Sequence, residues 1–148
     1  MFSVIVPHQP NPKLHYMKTI IMLPAICLCA CSAIVHPGIN ESKKVAETLI
    51  KLESSGDYTS MSKYYTDEFN KSESPEERAA KFKDLHNMLG DFVGDTCVRA
   101  ADSTDLNDFP CVFLKYRVTH TKLASYEEFE IIKDRGELKA EVHNIMHE

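Results

Sequence analysis

The chain has 148 residues, 22 of them Asp or Glu against 17 Lys or Arg, giving a formal net charge of −5 at pH 7, and it contains no Trp. That length sits in the range of one domain with a modest core. The acidic balance excludes a nucleic-acid role, because phosphate binding needs a basic surface.

Residues 1–16 carry Pro7, Pro10 and Pro12 and no helical or strand period. They precede a complete export signal, so they read as a mis-assigned start, with translation beginning at Met17. From 17 to 30, Lys18 is followed by a run of apolar residues and a small residue, Ala30. This is the layout of a secretory signal, too short to span a bilayer.

The segment Leu28-Cys29-Ala30-Cys31 resembles the lipobox of bacterial lipoproteins: Leu, two small residues, then the lipidated Cys. Cys27 follows Ile26 and Cys29 follows Leu28, whereas Cys31 follows the small Ala30, as the signal peptidase requires. Cys29 stands where Ala, Ser or Thr is usual. The resemblance implies lipid attachment at Cys31. Ser32, rather than Asp, is similar to the sorting signal for the outer membrane of a diderm bacterium, with the domain facing the periplasm. An ordinary secretion signal cut after Ala30, or an uncleaved anchor, is the alternative. After the cut, 15 basic residues remain against all 22 acids. Anionic headgroups repel such a domain, so attachment falls to acyl chains.

Residues 31–40 form a tether broken by Pro37-Gly38, reaching at most about 36 Å when extended. Asn40 is placed to cap a first helix running to about Ser55, with Val45, Ala46, Leu49, Ile50 and Leu52 at helical spacing and Gly56 to stop it. Asp57 caps a second, whose stripe is Tyr58, Met61, Tyr65 and Phe69. A third opens with Ser74-Pro75-Glu76-Glu77, a capping box with Pro at its first position, and presents Ala79, Phe82, Leu85 and Leu89 before Gly90.

Beyond Gly94 the period changes from 3.6 to 2. Thr96–Ala101 reads as a strand, 102–108 as a polar loop, and Pro110–Thr121 as a long strand. In it Val112, Leu114, Tyr116 and Val118 point one way, and Phe113, Lys115, Arg117 and Thr119 the other. Ser125–Lys133 and Glu137–Ile145 follow, joined by the hairpin turn Asp134-Arg135-Gly136. One dry and one wet face is the signature of an antiparallel sheet. The fold class is therefore α+β: three N-terminal helices on one face of a curved four-stranded antiparallel sheet, as a single domain over 41–148.

Removal of the signal leaves Cys97 and Cys111 in the folded part. An even pair in an exported chain predicts a disulfide, closing a loop of about fifteen residues and contributing roughly 3 kcal/mol. Two free buried thiols are the alternative. The pair lacks Cys-x-x-Cys spacing, and no Cys/His motif completes a zinc site.

Ser55-Gly56-Asp57-Tyr58 after the first helix, Leu89-Gly90 ending the third, and the closing Tyr-x-Val…Glu-x-Phe-x-Ile…Lys-x-x-Gly-x-Leu-Lys series resemble small cystatin-like or nuclear-transport-factor-like bacterial lipoproteins of unknown function. The likeness spans about residues 41–147, and Leu138 stands where members often have Trp. It implies a conical pocket, which some relatives use as isomerases or as binders of small apolar ligands. An isomerase-like site needs a carboxylate base inside the cone, facing a Tyr or protonated acid. Tyr116 has the inward face, although a core tyrosine with its hydroxyl bonded locally is the favoured reading for it. His120 and Asn144 share their strands' inward register, and His86 beside Phe82 and Leu89 is placed either to line the mouth or to serve as a structural histidine. Glu128 and Glu130 alternate against Phe129 and Ile131 and belong to solvent. That leaves no inward acid.

Other chemistries fail on spacing. His143 and His147 lie about 13 Å apart in a strand, too far to share an ion. Asp102, Asp105 and Asp108 lack the order of an EF-hand loop. A cystatin inhibitory Gln-x-Val-x-Gly loop, a Gly-x-Ser-x-Gly elbow and a phosphate-cradling loop are all absent. No catalytic residue, metal or cofactor is predicted. The leading expectation is a noncatalytic envelope lipoprotein serving as a binding or assembly module, its partners being the membrane through its lipid and an envelope protein. The alternative is a small apolar-ligand carrier or isomerase-like enzyme using the cone around Tyr116. A homodimer through the sheet face bearing Phe113 and Ile132 is the third.

Overall fold

The computed structural model describes residues 36–148. The expected export signal at 17–30, the expected lipid attachment at Cys31 and the expected start at Met17 lie outside the described residues. No helix among those described is long and apolar enough to cross a membrane.

Helix α1 (Ile39–Ser54) starts just ahead of Asn40, because the Gly38 carbonyl already accepts from the Ser42 amide at 2.9 Å. Its buried stripe is Ser42, Ala46, Leu49, Ile50 and Glu53. The expected second helix is broken into α2 (Tyr58–Met61), a 3-10 turn (Ser62–Tyr64) and α3 (Asp67–Ser72). Thr66 causes the break: its hydroxyl accepts from the Phe69 amide at 3.1 Å and caps a new helix. Tyr65 is left extended and bridges Ala140, while the Thr66 amide donates to the Ala140 carbonyl at 3.1 Å. A tyrosine that helical periodicity assigns to a helix face is thus pinned onto the sheet.

Helix α4 (Pro75–Leu89) opens on the anticipated capping box, the Glu77 amide donating to Ser74 Oγ at 3.2 Å and the Ser74 amide to Glu77 Oε2 at 3.0 Å. It ends at Gly90, where φ is +87° and a Cβ would collide with the Thr121 hydroxyl. The close approach lets the Lys122 amide donate to the Leu89 carbonyl at 3.0 Å, fastening the helix end to a sheet turn.

The strands β1 (Phe92–Thr104), β2 (Pro110–His120), β3 (Ala124–Asp134) and β4 (Glu137–His147) form an antiparallel sheet in the order β1-β2-β3-β4. The first is much longer than Thr96–Ala101. Asp105 closes the β1–β2 loop by accepting from the amides of Asn107 (2.7 Å) and Phe109 (2.8 Å), a hairpin role. The β3–β4 turn falls at Arg135 (φ +50°) and Gly136 (φ +90°), the left-handed pair that such two-residue turns demand.

The helices cover one sheet face. Val112, Leu114, Tyr116 and Val118 of β2 and Phe129 and Ile131 of β3 meet Ala46, Leu49, Ile50, Met61, Tyr65 and Phe82 there, all buried. Three bulges interrupt the alternation, the first at Val93 of β1, between the pairs Phe92–His120 and Gly94–Thr119. In β1, Val98 lies between the pairs Cys97–Tyr116 and Arg99–Lys115. In β4, Ala140 faces Ile131 and Val142 faces Glu130, so Glu141 is an extra residue.

The Cys97–Cys111 disulfide is not formed; both thiols are free. Cys97 pairs with Tyr116 on the helix-facing side, whereas Cys111 pairs with Ser103 and Ile132 on the other. Cys97 and Ser103 are separated by about 20 Å of strand, and a disulfide tolerates a Cα separation of less than about 7 Å. The loop expected at 102–108 starts later, because β1 continues to Thr104, and this extension carries Cys97 away from its supposed partner.

Candidate functional site

Tyr116 is a core residue. Its ring meets Phe129 edge-on at 6.1 Å, and its hydroxyl donates to the carboxylate of exposed Glu47 at 3.3 Å. Burial, then the Glu47 charge, drives its phenol far above the ordinary range. Leu114 and Phe129 are fully buried in the same core cluster.

His120 closes β2 with Nε2 3.5 Å from Ser125 Oγ and its ring against Phe92, and burial holds the imidazole below its usual value. His86 stands on the last turn of α4, 3.5 Å from the Asp91 carboxylate and substantially exposed. Asn144 faces outward, contrary to the expectation that it shares the inward register. The bulge at Glu141 shifts the parity of β4, so that His143 and Ile145 follow Ala140 inward, opposite Phe129 and Glu127. The four expected pocket residues therefore do not form one site.

A different set converges. Glu127 continues the inward face of Phe129 and Ile131, and its side chain and that of His143 are each only 1 % exposed. His143 Nε2 lies 3.2 Å from Glu127 Oε2, while Nδ1 lies 2.7 Å from the Tyr65 hydroxyl. These distances agree with Tyr65 donating to Nδ1 and Nε2–H donating to the carboxylate. The imidazole stacks on Phe129 at 4.3 Å, with Phe82 at 5.7 Å. Glu53, at the inner end of the α1 stripe, completes the group: one donor atom from each of Glu53, Glu127 and His143 lies within 4.8 Å of the others. Burial, then the Glu127 charge, holds the Glu53 carboxyl well above the carboxylate range. Burial likewise raises the Tyr65 phenol, against the pull of nearby Arg78.

The expectation of no inward acid is thus overturned twice. Glu127 was legible as the residue two before Phe129. Glu53 follows Leu49 by one helical turn and Ala46 by two. His143 required the bulge, and Tyr65 the broken helix.

Outside this group a cleft of about 220 Å³ opens between α3, α4 and β4. Phe69, Phe82, Leu85 and Ile145 form its apolar wall, Arg78, Lys81 and Glu73 its charged side, and His143 its floor. Glu73 bonds Lys81 and lies 3.5 Å from Arg78 Nε.

No protein-family model matches the chain, and no curated protein matches it significantly. A solved structure, ActVI-ORFA from Streptomyces coelicolor, is similar at a TM-score of 0.51 and 10 % identity, over 74 % of this chain and 96 % of that one. Identity that low carries the fold and no activity. The shared fold is the nuclear-transport-factor-like, cystatin-like α+β architecture, helices packed against an open four-stranded antiparallel sheet.

Proposed function

We propose that this chain is a lipid-anchored envelope protein whose domain takes up a small, mainly apolar molecule in the cleft between α3, α4 and β4, as a binding module rather than an enzyme. The observation that carries this reading is the cleft itself, with aromatic and aliphatic walls and a few charged groups at one side, the composition of small-molecule sites. Its volume of about 220 Å³ lies below the roughly 300–1,000 Å³ of drug-sized sites, which selects a compact ligand. Catalysis is disfavoured because His143, which lines the cleft, has both ring nitrogens engaged, by Tyr65 and Glu127, and those two residues are only 2 % and 1 % exposed.

Indole tests the cleft, and the lack of Trp leaves its emission free of background. Saturable binding is expected, and Leu85→Arg, which places a charge on the half-buried apolar wall, should abolish it without lowering the melting temperature. Binding that never saturates, or that Leu85→Arg leaves intact, refutes the assignment.

The anchor rests on Leu28-Cys29-Ala30-Cys31. Cys31→Ser should move the protein from the membrane to the soluble periplasmic fraction, with loss of the acyl mass from its N-terminus. Retention in the membrane fraction would remove the lipid from the account.

A further inference from the structure

We infer that Glu53, Glu127 and His143 form a site for one divalent first-row transition ion, with zinc as the type. Each contributes a donor atom, all within 4.8 Å of one another, and this is the one such trio among the described residues. The 3.2 Å between Glu127 Oε2 and His143 Nε2 matches the roughly 3.3 Å edge between two ligands that each sit about 2.0 Å from a tetrahedral ion. Glu53 supplies the independent sign of a missing ligand. The residue is only 9 % exposed, and its Oε2 is buried with no hydrogen-bond partner. A buried carboxylate oxygen without a donor is costly unless something positive meets it.

Charge points the same way. With Glu53 ionised, as a bound ion would hold it, Glu53 and Glu127 bring two buried negative charges, and nearby Arg78 is engaged by Ser62, Asn70 and Glu73. A divalent ion balances the pair. The donor set discriminates among ions: an imidazole with two carboxylates suits zinc, iron or manganese, whereas calcium takes six to eight oxygens. Tyr65 acts as the outer partner that metal-binding histidines have. With Nε2 on the ion, Nδ1 carries the proton and donates it to the Tyr65 oxygen across their 2.7 Å contact. The site lies beneath the proposed ligand cleft but is read by a different probe, so a failed indole titration and a failed metal titration are separable results.

The test is Co²⁺ titration of the chelator-stripped full chain. One equivalent should produce a visible d–d absorption without near-UV thiolate charge transfer; one equivalent of Zn²⁺ should bleach it and raise the melting temperature. Glu53→Gln, a neutral isostere that keeps the fold by circular dichroism, should abolish the band, as should His143→Gln. Tyr65→Phe, a positioning change, should weaken binding by about 10- to 100-fold. A silent visible spectrum, a band that survives in Glu53→Gln, or thiolate charge transfer marking binding at cysteines would overturn the site.

Discussion

Replacing Arg78 with Ala is expected to destabilise the domain by about 3–5 kcal/mol, the usual consequence of removing one partner from a buried charged pair. The residue lies in α4 but is only 1 % exposed. Its Nη1 donates to Ser62 Oγ at 3.2 Å, and Nη2 donates to Asn70 Oδ1 at 3.0 Å and to the Glu73 carbonyl at 3.2 Å. Its guanidinium also covers the Tyr65 ring at 4.5 Å and the Phe69 ring at 5.1 Å. One side chain therefore ties the 3-10 turn, α3 and α4 together and presses Tyr65 toward His143. Arg78→Lys keeps the charge but loses the planar fork, so it should recover only a minor part of the stability. Urea unfolding of both variants measures this. A midpoint unmoved in Arg78→Ala would show that the clamp contributes nothing.

Truncating Phe129 to Ala should cost a similar amount, about 3–5 kcal/mol, through lost burial and the cavity left behind. Phe129 is fully buried, stacked on His143 at 4.3 Å and edge-on to Tyr116 at 6.1 Å. It separates the polar group of β3 and β4 from the core tyrosine. Loss of the ring should loosen both, while Phe129→Leu, which leaves a smaller void, should cost less. Equilibrium denaturation with an unchanged m-value is the expected signature, and equal midpoints for wild type and Phe129→Ala would contradict the packing described.

The architecture was legible because its signals are local and redundant. The box at Ser74–Glu77, the turn at Arg135-Gly136 and the alternation Val112, Leu114, Tyr116, Val118 each specify one conformation within a few residues. The site was only half legible. Glu127 and Glu53 sit at positions that simple periodicity sends inward, but an acid in an apolar stripe reads as a break in the pattern rather than part of it. Asn144 and His143 exchanged places because one unpaired residue, Glu141, reverses the parity of everything after it in β4. Cys97 and Cys111 looked bridgeable because a hairpin loop seemed to hold them close. Strand length and facing, which spacing alone does not encode, part them. Tyr65 needed a tertiary contact, its bridge to Ala140, to leave the helical stripe.

The bulge at Glu141 also sets how easily this interior could change character in the course of descent. Deleting that single codon would restore strict alternation and leave Ala140 and His143 facing inward with Val142 outward, whereas a one-residue slip that paired Glu141 with Glu130 would turn Val142 inward and His143 out to water. The imidazole's place in the interior is therefore set by strand register as well as by residue identity, and losing the bulge by deletion would spare it. Among descendants, a chain one residue shorter at this bulge would still hold its imidazole opposite Phe129, so the register of the last strand, and not its length, decides what faces the helices.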